Sequence, residues 1–473
     1  MPRTKIVATL GPAISGASAL KSMFAAGVNV FRLNTSHGAW DDHLKRIASV
    51  RAAAADLGIQ AGILLDLQGP KIRLGTFEEG QCELREGGIF SITTEKVQGS
   101  SEIASTGYLQ FAKDLKSGDR VFLADGSVEL RVLDSDGIAV RCEVIVGGYL
   151  SDHKGINLPG VELSTPSLTR KDMEDLQRGL QASIDFVALS FVRRASDLQR
   201  VKLYLEQQDS QIPVIAKIEK PEGWKNLEQI LDECEGVMVA RGDLGVELAL
   251  EKVPFIQKRI IERARAKGKF VITATQMLES MIEHSSPTRA EVSDVANAIC
   301  DGTDAVMLSA ETSTGRYPEL AARMMARIAE ETERWLGPQG FPEPLPPLTP
   351  SNAEIIADAA YHAARSAGVA AIVVFTTSGA SARLISRFRP PVPIFAFTQN
   401  ECAARQMSVS FGVEAILAPD VKSTDQMLLQ MEQILVTSGR LKPGDNVVFV
   451  AGQPIGRTGS TNLIKLHRIG ESK

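Results

Sequence analysis

Eight short apolar runs, rich in valine and isoleucine and separated by stretches of helical pattern, constrain the fold of this chain most. Runs of this kind are typical of parallel strands that are buried on both faces. Eight strand–helix units predict an α/β fold of the (β/α)8 TIM-barrel type. The predicted strands are Lys5–Leu10, Val30–Leu33, Gly62–Leu67, Phe186–Phe191, Pro213–Ile218, Gly236–Ala240, Phe270–Thr273 and Asp304–Leu308. The clearest helices are Trp40–Leu57, Val253–Lys267 and Thr288–Ile299.

The helical pattern is lost in a long gap between the third and fourth predicted strands. Apolar and polar residues alternate there instead, as in Val128–Val132 and Ile138–Val144 on either side of the turn Ser135–Gly137. Such alternation indicates strands with one buried face. We therefore expect residues 70–165 to form a β-barrel domain inserted in a βα loop, where it stands over the mouth of the large barrel as a lid.

A third domain is predicted after a proline-rich stretch, residues 338–350, which is typical of a stiff linker. The large barrel then comprises residues 1–69 and 166–337, and the C-terminal domain comprises residues 351–473. The pattern of this last domain is again α/β, with one possible edge strand at its end. Its predicted elements are a helix at Ala353–Ala367 and strands at Ala371–Phe375, Pro393–Phe397, Val413–Leu417, Asn446–Val450 and Leu463–Ile469.

Charge and cysteine content argue against several classes of protein. Lys and Arg number 52 against 57 Asp and Glu, a net charge of -5 that disfavours binding to nucleic acid. No apolar run approaches the ~20 residues that span a bilayer, and Ile6–Leu10 is too short for a signal-peptide core. The five cysteines form no Cys-x-x-Cys pair, which indicates reduced thiols in the cytoplasm. The sequence also lacks the phosphate loop of P-loop ATPases and the nucleophile elbow of serine hydrolases.

Polar residues follow the predicted strands, at the face of a barrel where catalysis takes place. Lys217 and Glu219 share one side of their strand because side chains alternate along it, although the two could equally form an ordinary salt bridge. The same alternation aligns Arg32 with Asn34 and Ser36, and a guanidinium suits a phosphate group. The strand-end residues are Thr9, Asn34, Asp66, Ser190, Glu219, Asp243, Thr275 and Ser309.

Two carboxylates, Glu219 and Asp243, follow adjacent strands. Carboxylates completed by water and substrate oxygens are the usual ligands of Mg²⁺ in proteins. Glycines on both sides of Asp243 let backbone N–H groups approach a ligand, although the segment could also be a plain glycine-rich turn. Thr275 offers a hydroxyl on the next strand, for a substrate or as a helix cap. Asp66 and Arg73 add an acid and a base at the hinge of the inserted domain.

These segments together resemble the pyruvate kinase family. The matching motifs are long and occur in the family's order, and the plan of barrel, β lid and C-terminal α/β domain matches as well. The motifs are Ala8–Pro12, Arg32–Gly38, Leu65–Arg73, Lys217–Glu219, Ala240–Gly245, Thr273–Met281 and Leu308–Thr312. The resemblance covers essentially the whole chain. It implies phosphoryl transfer from phosphoenolpyruvate to ADP, the ATP-forming step of glycolysis, in a homotetramer.

The resemblance also implies roles for individual residues. Positive charge from Arg32 and Lys217 would surround the moving phosphoryl group, with Lys217 as the transition-state stabiliser. Mg²⁺, or Mn²⁺ in its place, would bind Glu219 and Asp243. The implied catalytic residues are Arg32, Arg73, Lys217 and Thr275. The implied substrate-binding residues are Arg32, Lys217, Gly242, Asp243 and Thr275. The implied nucleotide-binding residues are Pro12, Asn34, His37, Arg73 and Lys154.

One departure from the family concerns K⁺. Many members hold this ion through residues that match Asn34, Ser36, Asp66 and the carbonyl of Leu67. Those members read Thr-Lys-Gly-Pro-Glu where this chain has Leu-Gln-Gly-Pro and then Lys71. A tethered ammonium could take the place of the ion, so we expect activity without K⁺. A second departure is Thr35, usually Phe in the family, which the strand alternation points away from the site.

A loop of hydroxyl side chains in the C-terminal domain matches the place where the family binds phosphorylated effectors. Hydroxyls and amides at a helix start form an anion cradle, although the segment could be an ordinary helix cap. We expect a sugar phosphate or nucleotide monophosphate as activator. The aromatic residue that stacks on fructose 1,6-bisphosphate in some relatives has no counterpart near Gln453–Ile455. The expected effector residues are Thr376, Thr377, Ser378, Gly379, Ala380, Ser381 and Arg457.

Two other functions stay open from the sequence. A Mg²⁺-dependent enolpyruvate lyase or aldolase on a related barrel would use no nucleotide, and the β insertion and Lys217 argue against it. A non-catalytic metabolite sensor would need only the effector domain. The presence of Arg32, Lys217, Glu219, Asp243 and Thr275 together argues against the sensor.

Overall fold

The computed structural model describes residues 1–337, 340–344, 349–366, 368–421, 423–455 and 459–471. Its centre is a closed barrel of eight strands, and adjacent strands pair in parallel, which confirms the predicted (β/α)8 fold. Each predicted apolar run is a strand, with small differences at its ends. Around the barrel, the strands are Lys5–Thr9, Ala305–Leu308, Phe270–Ala274, Gly236–Ala240, Val214–Ile218, Phe186–Leu189, Gly62–Asp66 and Val30–Asn34.

Two aromatic rings close the barrel at the amino ends of its strands. Phe186 and Phe270 are the first residues of their strands, and their rings meet edge to face with centroids 5.9 Å apart. Neighbouring strands begin with Gly62 and Gly236, which leave room for these rings. A Cβ atom built on Gly236 would lie 2.3 Å from the Phe270 ring. Because this end is filled, the open face lies at the carboxyl ends of the strands.

Helices cover the outside of the barrel and begin at recognisable caps. Thr169 and Thr288 each accept a hydrogen bond from the third helical N–H, and the acidic residue at that position bonds back to the cap. No helix in the described ranges is long and apolar enough to cross a membrane. The barrel helices are Ala17–Ala25, Trp40–Leu57, Arg170–Gln181, Ala195–Gln207, Pro221–Lys225, Leu227–Asp232, Arg241–Glu247, Val253–Ala266, Arg289–Cys300, Ala310–Ser313 and Pro318–Leu336.

The inserted segment consists of strands, as predicted, with one short helix at Phe111–Asp114. Its ladders form a six-stranded sheet and a separate two-stranded sheet. Isolated bridges from Arg73 to Gly155 and from Leu74 to Thr106 span the gap between the two edges of the larger sheet. The strands are Gln81–Leu84, Ile89–Thr93, Ile103–Ser105, Arg120–Leu123, Val128–Ser135, Ala139–Val146, Gly148–Ser151 and Ile156–Asn157.

The C-terminal domain is a five-stranded sheet with helices. Four strands are parallel, and Thr461–Arg468 lies antiparallel at the edge, where the sequence predicted an edge strand. The predicted linker falls partly outside the described residues, at 338–339 and 345–348, as does Ala367 of the predicted helix. In sheet order the strands are Val413–Leu417, Ile394–Thr398, Val369–Phe375, Asn446–Gly452 and Thr461–Arg468. The helices are Asn352–Ala364, Ala380–Ser386, Glu401–Gln406 and Thr424–Thr437. The domain limits themselves stay predictions.

Carboxylates at the start of two barrel strands hold the C-terminal domain in place. Asp185 Oδ1 accepts a hydrogen bond of 2.7 Å from Arg405 Nε. Asp304 Oδ2 lies 2.8 Å from Arg389 Nη2, and Asp304 Oδ1 accepts from the Phe411 N–H at 3.1 Å. The C-terminal domain therefore covers the closed end of the barrel, and the lid domain stands at the open end.

Candidate active site

Four charged side chains form a buried ion-pair network at the open end of the barrel. Arg32 Nε donates to Asp66 Oδ2 at 2.7 Å, and Arg32 Nη1 donates to Thr9 Oγ1 at 3.0 Å. Asp66 Oδ1 lies 3.1 Å from Lys217 Nζ, which lies 2.9 Å from Glu219 Oε1. Burial alone would raise the pKa of Asp66, but the charges of Lys217 and Arg32 hold it below its usual value. Cations and anions thus alternate from Arg32 to Glu219.

Lys217 is the most fully held cation of this network. Its Nζ also donates to Ser190 Oγ at 2.7 Å, and Ser190 Oγ donates to the Leu67 carbonyl at 2.7 Å. Burial lowers the pKa of Lys217, but the carboxylates of Asp66 and Glu219 outweigh it and raise the pKa above its usual value. The ammonium is therefore charged at every physiological pH and fixed by acceptors on three sides.

The carboxylates of Glu219 and Asp243 lie near each other beside Lys217. Glu219 is buried and accepts a hydrogen bond of 2.8 Å from the Phe191 N–H. Burial raises the pKa of Glu219, Lys217 opposes this, and the negative charge of Asp243 raises it further. Asp243 is half-buried in the first turn of Arg241–Glu247.

The two carboxylates fit a divalent cation that takes its other ligands from outside the protein. Hard oxygen donors suit Mg²⁺, which commonly keeps water and substrate oxygens and uses only one or two carboxylates. A cation between Glu219 and Asp243 would also relieve their mutual repulsion. No group of three metal-ligating side chains occurs among the residues that the structure describes.

Thr275 lies beside the start of the Asp243 helix. Its Oγ1 accepts from the Gly242 N–H at 2.7 Å and donates to the Ala274 carbonyl at 2.6 Å. Thr275 and Gln276 both have left-handed backbones, with φ of 68° and 55°. Non-glycine residues hold this conformation only where the surroundings enforce it, and such positions are common at active sites. Gly242 and Thr275, predicted to act together, are in contact.

Arg241 supports this turn, a role that was not predicted from the sequence. Its Nη2 donates to the Thr275 carbonyl at 2.7 Å, and its Nη1 lies 2.7 Å from Asp294 Oδ2. Arg241 stands inside the predicted motif Ala240–Gly245, so its position was visible in the sequence. Its partner Asp294 is on a helix after the next strand, and no sequence spacing relates the two residues.

The residues expected to meet the nucleotide lie between the barrel and the lid. Arg73 Nη1 donates to the His153 carbonyl at 3.0 Å, so its guanidinium is partly held by the lid. Burial and the charges of Arg73, Lys71 and Arg32 lower the pKa of His37, which favours neutral imidazole. Lys154 and Pro12 are exposed, with Lys154 next to His153 and Pro12 at the start of the short helix Pro12–Ile14. Positive charge therefore gathers around His37.

Three of the four groups expected to hold K⁺ have other partners in this structure. Asn34 Oδ1 accepts from the Ser36 N–H at 3.1 Å, Asp66 is paired with two cations, and the Leu67 carbonyl accepts from Ser190. Lys71 is exposed, and within the described ranges it makes no salt bridge with Asp66. It lines a small cavity between lid and barrel together with Lys220 and Asp243. Lys71 therefore lies at the entrance to the site and not inside the Asp66 network.

The predicted effector loop lines a cavity of about 460 Å³ in the C-terminal domain. Gly379, with φ of 77°, precedes the helix Ala380–Ser386, and its N–H donates to Thr376 Oγ1 at 3.0 Å. Ser381 Oγ is hydrogen-bonded to Thr461 Oγ1 across the cavity wall. Arg457 lies outside the described residues, as do Gly456 and Thr458 of the second loop. The predicted residues that line the cavity are Thr376, Thr377, Ser378, Ala380 and Ser381.

Two family models match the chain. The model described as pyruvate kinase, barrel domain, matches residues 1–322. The model described as pyruvate kinase, alpha/beta domain, matches residues 354–467. Together they cover the barrel with its insertion and most of the C-terminal domain.

Individual relatives agree over the full length. A pyruvate kinase from Mycobacterium tuberculosis is 47% identical over 471 residues, which cover 99% of each chain. One from Geobacillus stearothermophilus is 45% identical over 99% of this chain and 81% of its own length. A solved pyruvate kinase structure from Cryptosporidium parvum is 34% identical and has a TM-score of 0.91, over 99% of this chain and 96% of that one. The chain belongs to the pyruvate kinase family.

Proposed function

We propose that this enzyme transfers the phosphoryl group of phosphoenolpyruvate to ADP at the open end of the barrel, with Lys217 and Arg32 facing the moving group. The observation that carries the proposal is the Lys217 ammonium, held by Asp66, Ser190 and Glu219. A phosphoryl group in transfer spreads negative charge over its equatorial oxygens. A cation that is already oriented stabilises this charge without reorganisation during the reaction.

The substrate carboxylate would bind the amides of Gly242 and Asp243. The Gly242 N–H donates to Thr275 Oγ1 in the free enzyme. A carboxylate that takes over this N–H frees one lone pair of the Thr275 hydroxyl. The hydroxyl can then orient the substrate and belong to the path that delivers a proton to the enolate. Substrate binding and the activation of Thr275 are thereby one event.

A divalent cation on Glu219 and Asp243 would supply positive charge that draws the phosphoryl oxygens and the substrate together. Nucleotide phosphates would meet the cations of the lid entrance, Arg73 and Lys154, with Pro12, Asn34 and His37 beside the nucleotide. In support, Arg73, Lys71 and Arg32 each lie near enough to His37 for their positive charges to lower its pKa. No carboxylate balances Arg73 or Lys71 in the described part of the lid.

The test is pyruvate formation from phosphoenolpyruvate with Mg²⁺, measured with and without ADP. Turnover that requires ADP and yields ATP in equal amount is expected. Consumption of phosphoenolpyruvate without ADP would instead favour a lyase or aldolase. A folded protein with no turnover in either condition would favour a metabolite sensor.

The reaction is further proposed to need no K⁺. Three of the four expected K⁺ ligands, Asn34, Asp66 and the Leu67 carbonyl, already have partners within the protein, and Asp66 is paired with both Arg32 and Lys217. Lys71 brings one more positive charge to the site entrance. We expect the rate in K⁺-free buffer to change less than tenfold when K⁺ is added. Lys71→Glu should introduce K⁺ activation, while Lys113→Glu on the lid surface should not. A tenfold or larger activation of the unmodified enzyme would contradict the proposal.

A phosphorylated metabolite is proposed to activate the enzyme from the C-terminal cavity. Hydroxyls and a helix start suit a phosphate, and about 460 Å³ accommodates a sugar phosphate or nucleotide monophosphate. An activator should shift the phosphoenolpyruvate saturation curve to lower concentration. Thr376→Val with Ser378→Ala should abolish the shift and leave the unactivated curve in place, whereas the exposed Ser366→Ala should retain it. A curve that no compound of either class moves would contradict the proposal.

The active form is proposed to be a homotetramer that works in the cytoplasm, where phosphoenolpyruvate and ADP are found. Apolar side chains on the outer helices support self-association, because Leu250 is 73% exposed and Phe255 is 72% exposed in the single chain. Light scattering after size exclusion should give four times the mass of the chain. Leu250→Gln with Phe255→Gln should lower that mass, and a mass equal to one chain for the unmodified protein would contradict the proposal.

A further inference from the structure

A buried ion pair outside the Asp66 network joins the two loops that carry Glu219 and Asp243. Lys220 directly follows Glu219, and Glu247 lies one helical turn beyond Asp243 in the helix Arg241–Glu247. Lys220 Nζ lies 2.6 Å from Glu247 Oε1, and the two side chains are 7% and 1% exposed. None of the segments that resemble the pyruvate kinase family includes either residue.

Two neighbours of the pair, Asn157 of the lid and Phe191 beside Glu219, connect it further to the site. Asn157 of the lid directs its Nδ2 at Glu247 Oε1, at 3.5 Å. Lys220 Nζ lies 6.0 Å from the centre of the Phe191 ring, and the Phe191 N–H donates to Glu219 Oε2. Lys220 also lines the small cavity between lid and barrel with Asp243. The pair thus lies against Phe191, which supports Glu219, and shares with Asp243 the helix Arg241–Glu247.

Stability alone is a poor explanation for such a pair. Removal of two charges from water offsets most of their attraction, and an apolar pair of similar volume usually replaces a buried ion pair without loss. Glu247 Oε2 is moreover buried without a hydrogen-bond partner, which adds to the cost. A geometric role is the better explanation, because the carboxylates of Glu219 and Asp243 repel each other and their loops need to be held together.

We infer that Lys220 and Glu247 are positioning residues that hold Glu219 and Asp243 at the separation needed to bind a divalent cation. The pair acts from outside the site, as a clamp between two βα loops, and touches neither substrate nor cation. Groups that hydrogen-bond directly to metal ligands typically contribute about 10–100-fold to metal affinity, and Lys220 and Glu247 act one contact further out, so the lower end of this range, about tenfold, is expected. The inference rests on the proposed cation site at Glu219 and Asp243.

The experiment measures Mn²⁺ binding to the free enzyme by the electron paramagnetic resonance of unbound Mn²⁺, with no substrate present. Lys220→Met should raise the Kd for Mn²⁺ about tenfold or more, and Lys220→Arg should keep it within threefold of the unmodified value. The matched control is Lys267→Met, which removes a lysine paired with Asp232 on the outside of the barrel. This control should leave the Kd unchanged.

The double variant Lys220→Met with Glu247→Leu distinguishes a positioning role of the pair from a role in stability. It also provides the Mn²⁺ binding measurement if Lys220→Met alone does not fold. It should melt at or above the temperature of the unmodified protein and still bind Mn²⁺ about tenfold more weakly. In turnover, both variants should need about tenfold more Mg²⁺ and recover kcat when Mg²⁺ is saturating. A double variant that binds Mn²⁺ within threefold of the unmodified protein would overturn the inference.

Glu219→Gln distinguishes failure of this inference from failure of the proposed site. Loss of Mn²⁺ binding in Glu219→Gln, with normal binding in the double variant, would reject the clamp and keep the site. Normal Mn²⁺ binding in Glu219→Gln would reject the site and the clamp with it.

Discussion

Replacement of Lys217 by methionine removes the ammonium and keeps most of the volume of the side chain. The Lys217 side chain is 11% exposed, so its charge acts in a medium of effective dielectric constant near 20. At that value a unit charge about 4 Å away contributes about 4 kcal/mol. Each ~1.4 kcal/mol of barrier is a factor of ten in rate, so kcat should fall by about three powers of ten.

The fold should survive this change because the neighbouring carboxylates keep other partners. Asp66 retains Arg32 Nε, and Glu219 retains the Phe191 N–H. Phosphoenolpyruvate should therefore still bind, with its KM changed far less than kcat. Circular dichroism and thermal melting establish that the variant is folded, and a coupled assay of pyruvate formation gives kcat and KM.

Two further variants complete the Lys217 experiment. Lys217→Arg keeps a positive charge and should lose less activity than Lys217→Met. Lys202→Met removes a lysine of the outer helix Ala195–Gln207, whose Nζ lies 3.5 Å from Glu235 Oε1, and should leave kcat unchanged. A kcat for folded Lys217→Met within tenfold of the unmodified value would refute the electrostatic role of Lys217.

Three other changes test separate parts of the structure. Thr275→Ala should lower kcat about 100-fold, because the variant lacks the hydroxyl that accepts from the Gly242 N–H. Thr275→Ser should recover part of this loss. Equal rates for the two variants would exclude a catalytic role of the hydroxyl. Gly236→Ala should reduce the free energy of unfolding by about 1–3 kcal/mol, because its Cβ would lie 2.3 Å from the Phe270 ring. The control is Gly107→Ala, whose Cβ has open space around it. Equal melting temperatures for the two variants would contradict the proposed clash with Phe270. Burial lowers the pKa of Lys5 from 10.5 to about 8, although the negative charges of Glu414 and Glu333 oppose this shift. Between pH 8 and pH 10.5 the Lys5 side chain is therefore mostly deprotonated in the folded protein and mostly protonated in the unfolded chain. Stability should therefore rise with pH from about 8 towards 10.5 more steeply than in Lys5→Met, as measured by urea unfolding, and identical slopes would contradict the shift.

The barrel was predictable because each of its strands is a continuous apolar run, and burial on both faces leaves few other structures for such a run. The strand ends were predictable for the same reason, since a closed barrel brings them together whatever their separation in sequence. Arg32, Asp66, Lys217 and Glu219 come from distant parts of the chain and still form one network. Their contacts follow from topology, which the hydrophobic pattern encodes.

Interactions between loops were not predictable in this way. Lys220 and Glu247 carry no periodic signal, and only the folded barrel brings the two loops together. The same holds for Arg241 and Asp294, which stabilise the turn at Thr275 from a separate helix. The pairing at the edges of the lid sheet was also not predictable. Arg73 and Leu74 join the two edges of the six-stranded sheet through single bridges and not through a full strand. Backbone pairing of that kind leaves no alternation of apolar residues.

The domains differ in whether their hydrophobic core is formed by their own residues alone, and this difference decides which domain can be replaced. The buried cluster of the lid runs from Ile72 to Leu163 and is complete within the insertion. The clusters of the barrel, in contrast, include Val409 and Phe411, which belong to the C-terminal domain. The lid should therefore be replaceable by a short loop, or transferable to another barrel, without disruption of the hydrophobic core of either partner. Deletion of the C-terminal domain would open the floor of the barrel to water, so that domain is a structural requirement of the barrel as well as the carrier of a cavity.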